Sequence, residues 1–468
     1  METTEKISIV SKRAGSFIIG LVIIAIAITS VEVIGLVAIH PVAAAIFRWL
    51  AIAGVTYYVW KRNNLTTWIL FSMVIGAEFG HDFPAIATEL KVVSKIFLKL
   101  IKTIIAPLIF GTLVVGIAGH ANLKQVGRMG WKSILYFEVA TTIALFIGLI
   151  AINISKAGVG IQLPPTTDTH KLDVPPPSGW EEIILHIFPE NIAKSIAEGQ
   201  VLQIVVFSIL FAIGLAMVKE PHKRHMLDFC ESLTEVMFKF TGIVMYFAPF
   251  AVGAAIAYTV GHMGFGILGN LFKLLATLYV ALIAFVLFVF LPVALIIKLP
   301  IRKFLRAVAE PATIAFSTTS SEAALPKALE NMEKFGVPRK IVAFVLPAGY
   351  SFNLDGSTLY LSLATIFVAQ AAGIDLPIGQ QILILVTLML TTKGIAGVPR
   401  ASLVILMGTA TAFGLPVEPI FLILGIDELM DMARTTINLV GNCLASTVIA
   451  KWEGEETFTD KNNTAFES

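Results

Sequence analysis

The C-terminal stretch Asp427-Glu428-Leu-Met-Asp431-Met-Ala-Arg434-Thr435-Thr-Ile-Asn438 places ionisable and amide side chains inside an otherwise apolar run long enough to cross a bilayer. Charge at membrane depth is costly, so such groups face a cavity or a partner and mark a substrate or ion path. Asp431, Arg434, Thr435 and Asn438 recur at helical spacing and share roughly one face. That face offers an anion, a cation, a hydroxyl and an amide. The set suits a small zwitterionic or anionic ligand.

Other segments could complete such a site. Ser317-Thr-Thr-Ser-Ser-Glu322-Ala-Ala-Leu-Pro326 and Gly394-Ile-Ala-Gly397-Val-Pro399-Arg400 each interrupt a long apolar stretch. Hydroxyls, free backbone groups and half-helix N-termini at such breaks can replace water around an anion. Glycine admits close backbone approach and proline supplies the break. Asn353-Leu-Asp355-Gly356-Ser357 lies mid-segment between the two. A helix unwound there exposes carbonyls and a carboxylate, hard ligands for a small cation; the alternative is a buried polar pair at a kink. Glu138 and Glu322 are candidate proton carriers, since burial favours the protonated acid. Each could equally be a structural partner for Arg400 or Lys393. Glu32 and Glu78, in or near the early helices, carry no assigned role.

Elements of the right kind must hold these groups. Hydrophobic residues make up 56% of the 468 positions and charged residues 14%, with a mean hydropathy of +0.84. This is the composition of an all-α polytopic membrane protein. A net charge of +2 gives no footprint for nucleic acid. Cys230 and Cys443 support neither a disulfide framework nor a metal site. Lys6, Lys12 and Arg13 precede an apolar run at 16–39. That run exceeds the h-region of about 7–15 residues in a signal peptide, so it reads as an uncleaved first helix. Gly264-Phe-Gly266-Ile-Leu-Gly269 matches the dinucleotide fingerprint by letter, but no strand precedes it, and it reads as a loop or helix contact. The histidines show no metal-ligand spacing, His222 and His225 reading as a solvated turn. No nucleophile elbow, P-loop or zinc motif points to an enzyme, and Ser320 and Ser321 have no nearby base.

Apolar segments fall near 16–39, 41–60, 66–80, 88–118, 130–155, 198–218, 235–260 and 264–297. Beyond residue 300 the pattern predicts two re-entrant hairpins, 302–332 and 377–414, each followed by a spanning helix, 338–372 and 417–451. Paired interruptions of this kind point to inverted repeats and a transporter's binding site. With this threading the Lys/Arg-rich loops fall on one side, the cytoplasm by the positive-inside rule. Residues 158–179 read as a flexible external loop and Glu453–Ser468 as a disordered cytoplasmic tail.

At STTSSEAALP, GYSFNLDGSTLY, KGIAGVP and GIDELMDMARTTINLVGN the chain resembles the dicarboxylate/amino acid:cation symporter family, the glutamate transporter fold, from about Thr66 to Glu453. The VGN ending is closest to the bacterial proton-coupled glutamate/aspartate symporters. The resemblance implies an inner-membrane, multi-pass homotrimer without cofactors, whose partners are the lipid bilayer and a small acidic amino acid. Each protomer would carry a scaffold and a transport part that moves across the membrane as a rigid body. By the same resemblance Arg434 pairs with the ligand's distal carboxylate and Asp431 with its ammonium. Thr435 and Asn438 add hydrogen bonds, backbone near Ser320, Ser321, Ala396, Gly397 and Val398 closes over the ligand, Ser357 lies nearby, and Asp427 stands behind the residues that touch the ligand.

The domain expectation places two extra transmembrane helices in 1–65, scaffold helices 1–2 in 66–130 and transport helix 3 in 130–155. An external loop and scaffold helices 4–5 occupy 156–260, the transport core 264–451 and the tail 452–468. Asn353, Asp355, Thr141, Asn438 and Asn442 are the expected cation or coupling residues. Sodium-coupled members have an acid where this chain has Asn442 and a hydroxyl where it has Ala140. That departure favours H+ over Na+ as the coupling cation. Arg400 stands where many members have glycine, so it could replace a cation at the second tip or pair with Glu322. Asp431 favours glutamate or aspartate over succinate, which has no ammonium to neutralise it. The rival readings are sodium-coupled or C4-dicarboxylate symport, and a channel or receptor-like protein.

Overall fold

The computed structural model describes residues 41–62, 64–118, 123–161, 188–198, 201–392 and 401–455. The expected helix at 16–39, most of the 158–179 loop, the tail beyond 455 and the second tip lie outside them. With that tip go Lys393, Ala396, Gly397, Val398 and Arg400. The described residues are helical, in the order α1 Pro41–Arg62, α2 Leu65–Asp82, α3 Lys91–Ala118, α4 Leu123–Ser155, α5 Val201–Met217, α6 His222–Met245, α7 Ala248–Met263, α8 Gly266–Phe285, α9 Ile301–Thr318, α10 Ser321–Phe335, α11 Arg339–Phe352, α12 Asp355–Ala371, α13 Ile378–Thr391, α14 Ala401–Ala412 and α15 Glu418–Trp452. Among the described residues Val42–Lys61, Pro84–Val115, Met129–Ser155 and Gly266–Ile296 are long and apolar enough to cross a membrane.

The described residues divide into two compact units, the first made of those from 41 to 95 with Tyr246–Phe265. Here α2 packs along α7. The contact is backbone to backbone: a Cβ on Gly76 would strike the Gly253 carbonyl, and one on Gly80 would lie 2.5 Å from the Ala257 oxygen. Small residues four apart permit this approach where lipid supplies no hydrophobic drive between helices. Helix α1 lies against α2 through polar groups. Arg48 Nε donates to Glu78 at 2.5 Å and Nη2 to Asp82 at 3.2 Å, while the Trp49 indole donates to Asp82 at 2.8 Å. The sequence reading gave Glu78 no role. Its partner lies 30 residues earlier, beyond any local pattern.

The second unit comprises the described residues of 96–245 and of 266–455. Helix α12 runs along α4, and α15 packs against α8, α9, α11 and α12. Tyr279 of α8 donates to the Leu429 carbonyl of α15 at 2.9 Å. After α8 the helix widens into a π turn, Val286–Phe290. Such turns are frequent at functional sites. Helices α9 and α10 pack on each other across the short break at Thr319-Ser320, and Asn331 Nδ2 donates to the Ala307 carbonyl at 2.9 Å.

Three expectations change. The apolar run 235–260 is not one helix but α6 and α7, with Pro249 in the first turn of α7. Proline is tolerated in a first turn and disruptive further in. His222 and His225 are the exposed first residues of α6, not a turn. Glu453 and Glu455, read as disordered, receive salt bridges from Lys132 (2.7 Å) and Lys340 (2.5 Å).

Candidate functional site

The polar face of α15 is buried, with Asp427, Asp431, Arg434, Thr435, Asn438 and Asn442 all enclosed. Arg434 Nε donates to Asp431 Oδ1 at 2.8 Å, and Nη1 donates to Asp427 Oδ1 at 3.1 Å. Its guanidinium lies 4.2 Å from the centroid of the Tyr360 ring. The Tyr360 hydroxyl donates to Asp427 Oδ1 at 3.3 Å. A cation at this depth is held by two carboxylates and an aromatic face, which offset its desolvation. Thr435 donates to Asp431 Oδ1 at 3.0 Å, so one carboxylate oxygen receives both groups. Arginine's planar fork suits an incoming carboxylate, and Asp431 suits an ammonium.

Helix α12 begins directly beside this face. The segment expected to unwind does so: α11 ends at Phe352 and α12 starts at Asp355, with Asn353 and Leu354 between them in non-helical geometry. Asn438 Oδ1 accepts from the backbone N–H groups of Gly356 (2.8 Å) and Ser357 (3.2 Å), and its Nδ2 donates to Ser357 Oγ at 2.9 Å. These are the orphan donors of a helix N-terminus, satisfied from a neighbouring helix. A Cβ on Gly356 would sit 2.8 Å from Arg434 Cα. Glycine is therefore what lets α12 reach α15.

A second cluster lies one turn along α15. Asn353 Nδ2 donates to Asn442 Oδ1 at 3.0 Å. Asp355 Oδ2 lies 2.5 Å, and Phe290 Cζ 2.8 Å, from where a Cβ on Gly441 would stand. Asn353 Oδ1 and Asn442 Nδ2 find no hydrogen-bond partner among the described residues. The π turn thus delivers Phe290 to the edge of a buried cluster of oxygen and amide groups that includes Asp355. Thr141 is buried on α4, its hydroxyl donating to the Phe137 carbonyl at 2.7 Å. Glu138 is half-buried on the same helix.

Ser320 caps α10, its Oγ accepting from Ala323 N–H at 3.2 Å. Ser321 is buried, and Glu322 is exposed in the first turn. Helix α10 packs against α15, which brings its N-terminus to the same unit as Asp431 and Arg434. Sequence reasoning quoted Gly356 and Tyr360 within motifs without giving either a role of its own, and it missed Gly441 and Phe290. Tyr360 lies five residues after Asp355 in the singled-out segment. Nothing in Val-Leu-Phe-Val-Phe (286–290) marks a π turn.

Residues 65–452 match the Sodium:dicarboxylate symporter family. The chain belongs to that family. This symporter is a transporter and not an enzyme, and a multi-pass protein of the inner membrane. It is 42% identical over 404 residues to the "Proton/sodium-glutamate symport protein" of Geobacillus stearothermophilus, covering 84% of this chain and 96% of that one. It is 42% identical over 422 residues to the "Proton/glutamate-aspartate symporter" of Escherichia coli (strain K12), covering 87% and 96%. A "C4-dicarboxylate transport protein" of Bacillus subtilis (strain 168) is 40% identical over 401 residues, covering 84% and 94%. The symporter's α1 precedes the matched region.

Proposed function

We propose that this protein imports glutamate or aspartate in symport with cations, protons favoured, by an elevator-type movement of a transport part within each protomer of a homotrimer. The reading takes α9–α10 and α13–α14 as re-entrant hairpins of an inverted repeat, closing over a ligand on α15. The observation that carries it is the pairing of Arg434 with Asp431 on one buried face, at 2.8 Å. An α-amino dicarboxylate would exchange this internal pair for two external ones, its distal carboxylate taking Arg434 and its ammonium taking Asp431. Asp427 would keep its hold on Arg434 throughout. Succinate could satisfy Arg434 but would face Asp431 with like charge, which is repulsive in a desolvated site.

Support for protons comes from the second cluster. Asn442, where an acid would strengthen a sodium site, makes a neutral amide pair with Asn353. Asp355 then supplies the negative charge of this cluster, enough for one proton or one weakly held sodium. The relatives' names span glutamate, aspartate and C4-dicarboxylates, so C4-dicarboxylate uptake is the second reading. Uptake of labelled aspartate, glutamate and succinate into proteoliposomes, with pH and sodium gradients imposed separately, tests both halves. Amino acids driven by a pH gradient are expected. Preference for succinate would refute the role of Asp431, and sodium-driven uptake indifferent to pH would refute proton coupling.

A further inference from the structure

Helix α3 carries a row of cations that the transport site does not use. Lys91, Lys95, Lys99 and Lys102 follow one another at intervals of four, four and three residues, so they fall in one stripe about 16 Å long. Lys95, Lys99 and Lys102 are exposed and have no ion-pair or hydrogen-bond partner among the described residues. The Lys91 ammonium lies over the Tyr258 ring, 5.2 Å from its centroid. Beside the row, Val92 and Ile96 are 56% and 46% exposed. The far side of the helix is packed. Ser94 donates to the Ala251 carbonyl at 2.9 Å, and Phe97, Leu98, Ile101 and Ile104 are buried. Packing on that side therefore turns the lysines away from the protein.

The row sits at a definite depth. After Lys102 come 16 residues without a charge, 103–118, about 24 Å of helix. The hydrocarbon core is about 30 Å thick, so the row begins within a lysine side chain's reach of the boundary and continues into the headgroup layer. Topology does not account for it. Under the threading read from the sequence this end of α3 faces outward, and the positive-inside rule puts cations at the other end. Nor does an acid of the same helical run, since Glu89, the nearest in sequence, stands about a third of a turn around the axis from the row.

We propose that this stripe of α3 is a binding surface for anionic phospholipid, its phosphates held by Lys95, Lys99 and Lys102 and its acyl chains lying along Val92 and Ile96. The charges are complementary, and the exposed apolar side chains beside the ammonium groups match the two parts of a lipid. Cations near a membrane surface attract anionic headgroups through a field that salt screens. The surface lies apart from the Arg434 site and does not depend on the substrate or on the coupling ion.

Phosphatidylglycerol titrated against the detergent-purified full chain, with bound lipid counted by native mass spectrometry, reads this surface directly. Lys95→Gln, Lys99→Gln and Lys102→Gln together should weaken binding on the order of 100-fold, about fivefold per lysine. Arginine at the same three positions should keep binding within about twofold, since the charge remains. Preference over phosphatidylcholine should decline as salt rises. Lys219→Gln, Lys223→Gln and Arg224→Gln, an equal loss of charge on another segment, should leave binding in place. The exposed positions tolerate glutamine, and an unchanged melting temperature without added lipid confirms the fold. Undiminished phosphatidylglycerol binding in the α3 glutamine variant, or an equal loss in the control, overturns the proposal. So does a raised KM for aspartate in phosphatidylcholine vesicles with lipid binding unchanged, which would assign the row to drawing in the substrate.

Discussion

Arg434 and Asp431 hold each other before any ligand arrives, and this sets how single substitutions should behave. Asp431→Asn keeps the shape and hydrogen-bonding capacity while removing the charge that an ammonium needs. Affinity for aspartate and glutamate should fall on the order of 100-fold, about 3 kcal/mol, the range for losing one member of a desolvated charge pair. Succinate should gain relative to both, read by competition against labelled uptake; unchanged ratios would count against the assigned geometry. Arg434→Lys keeps the charge but loses the fork and the stacking on Tyr360. Uptake of all three substrates should drop by at least about 100-fold. These residues were legible in the sequence because polarity in an apolar helix is conspicuous. Tyr360 was not, since an aromatic among apolar neighbours reads as core until Arg434 is seen over its ring.

At the scale of elements, the site depends on two helices meeting almost without side chains between them. Gly356 touches the backbone of Arg434, and Gly441 touches Asp355 and Phe290. Gly356→Ala would force α12 away from α15, an overpacking cost of at least about 1–3 kcal/mol. Its melting temperature should fall, and aspartate should no longer raise it; a variant with normal melting and ligand stabilisation would contradict the close approach. The break before α12 was legible from Asn-Leu-Asp-Gly-Ser inside an apolar run. The division of 235–260 was also available, through Pro249, but uniform hydropathy across the break concealed it. The π turn left no trace, because widening a helix by one residue needs no special side chain.

Across the whole molecule, composition and the ordered motifs were enough to read a membrane transporter, while the attachment of the segment before residue 65 was not legible. Its anchor joins positions 30 and 34 residues apart, and only the fold brings them together. Arg48 and its two acids are nearly enclosed, with side chains 12%, 10% and 15% exposed. Arg48→Met should lower stability by roughly 1–3 kcal/mol by leaving buried acceptors unmatched. Neutralising the acids together, as Glu78→Gln with Asp82→Asn, should restore part of that loss, measured by thermal melting of the purified protein. Additive losses would argue against the cluster.

The same cluster imposes a schedule on synthesis. Arg48 leaves the ribosome 30 residues ahead of Glu78, an interval of about two to six seconds at ordinary elongation rates. Throughout it, a guanidinium within an apolar helix has none of its eventual counter-charges. Lodging of α1 is therefore provisional until α2 emerges, and nascent chains arrested after Arg48 has emerged but before Glu78 has should be extractable from membranes where chains arrested after both have emerged are not.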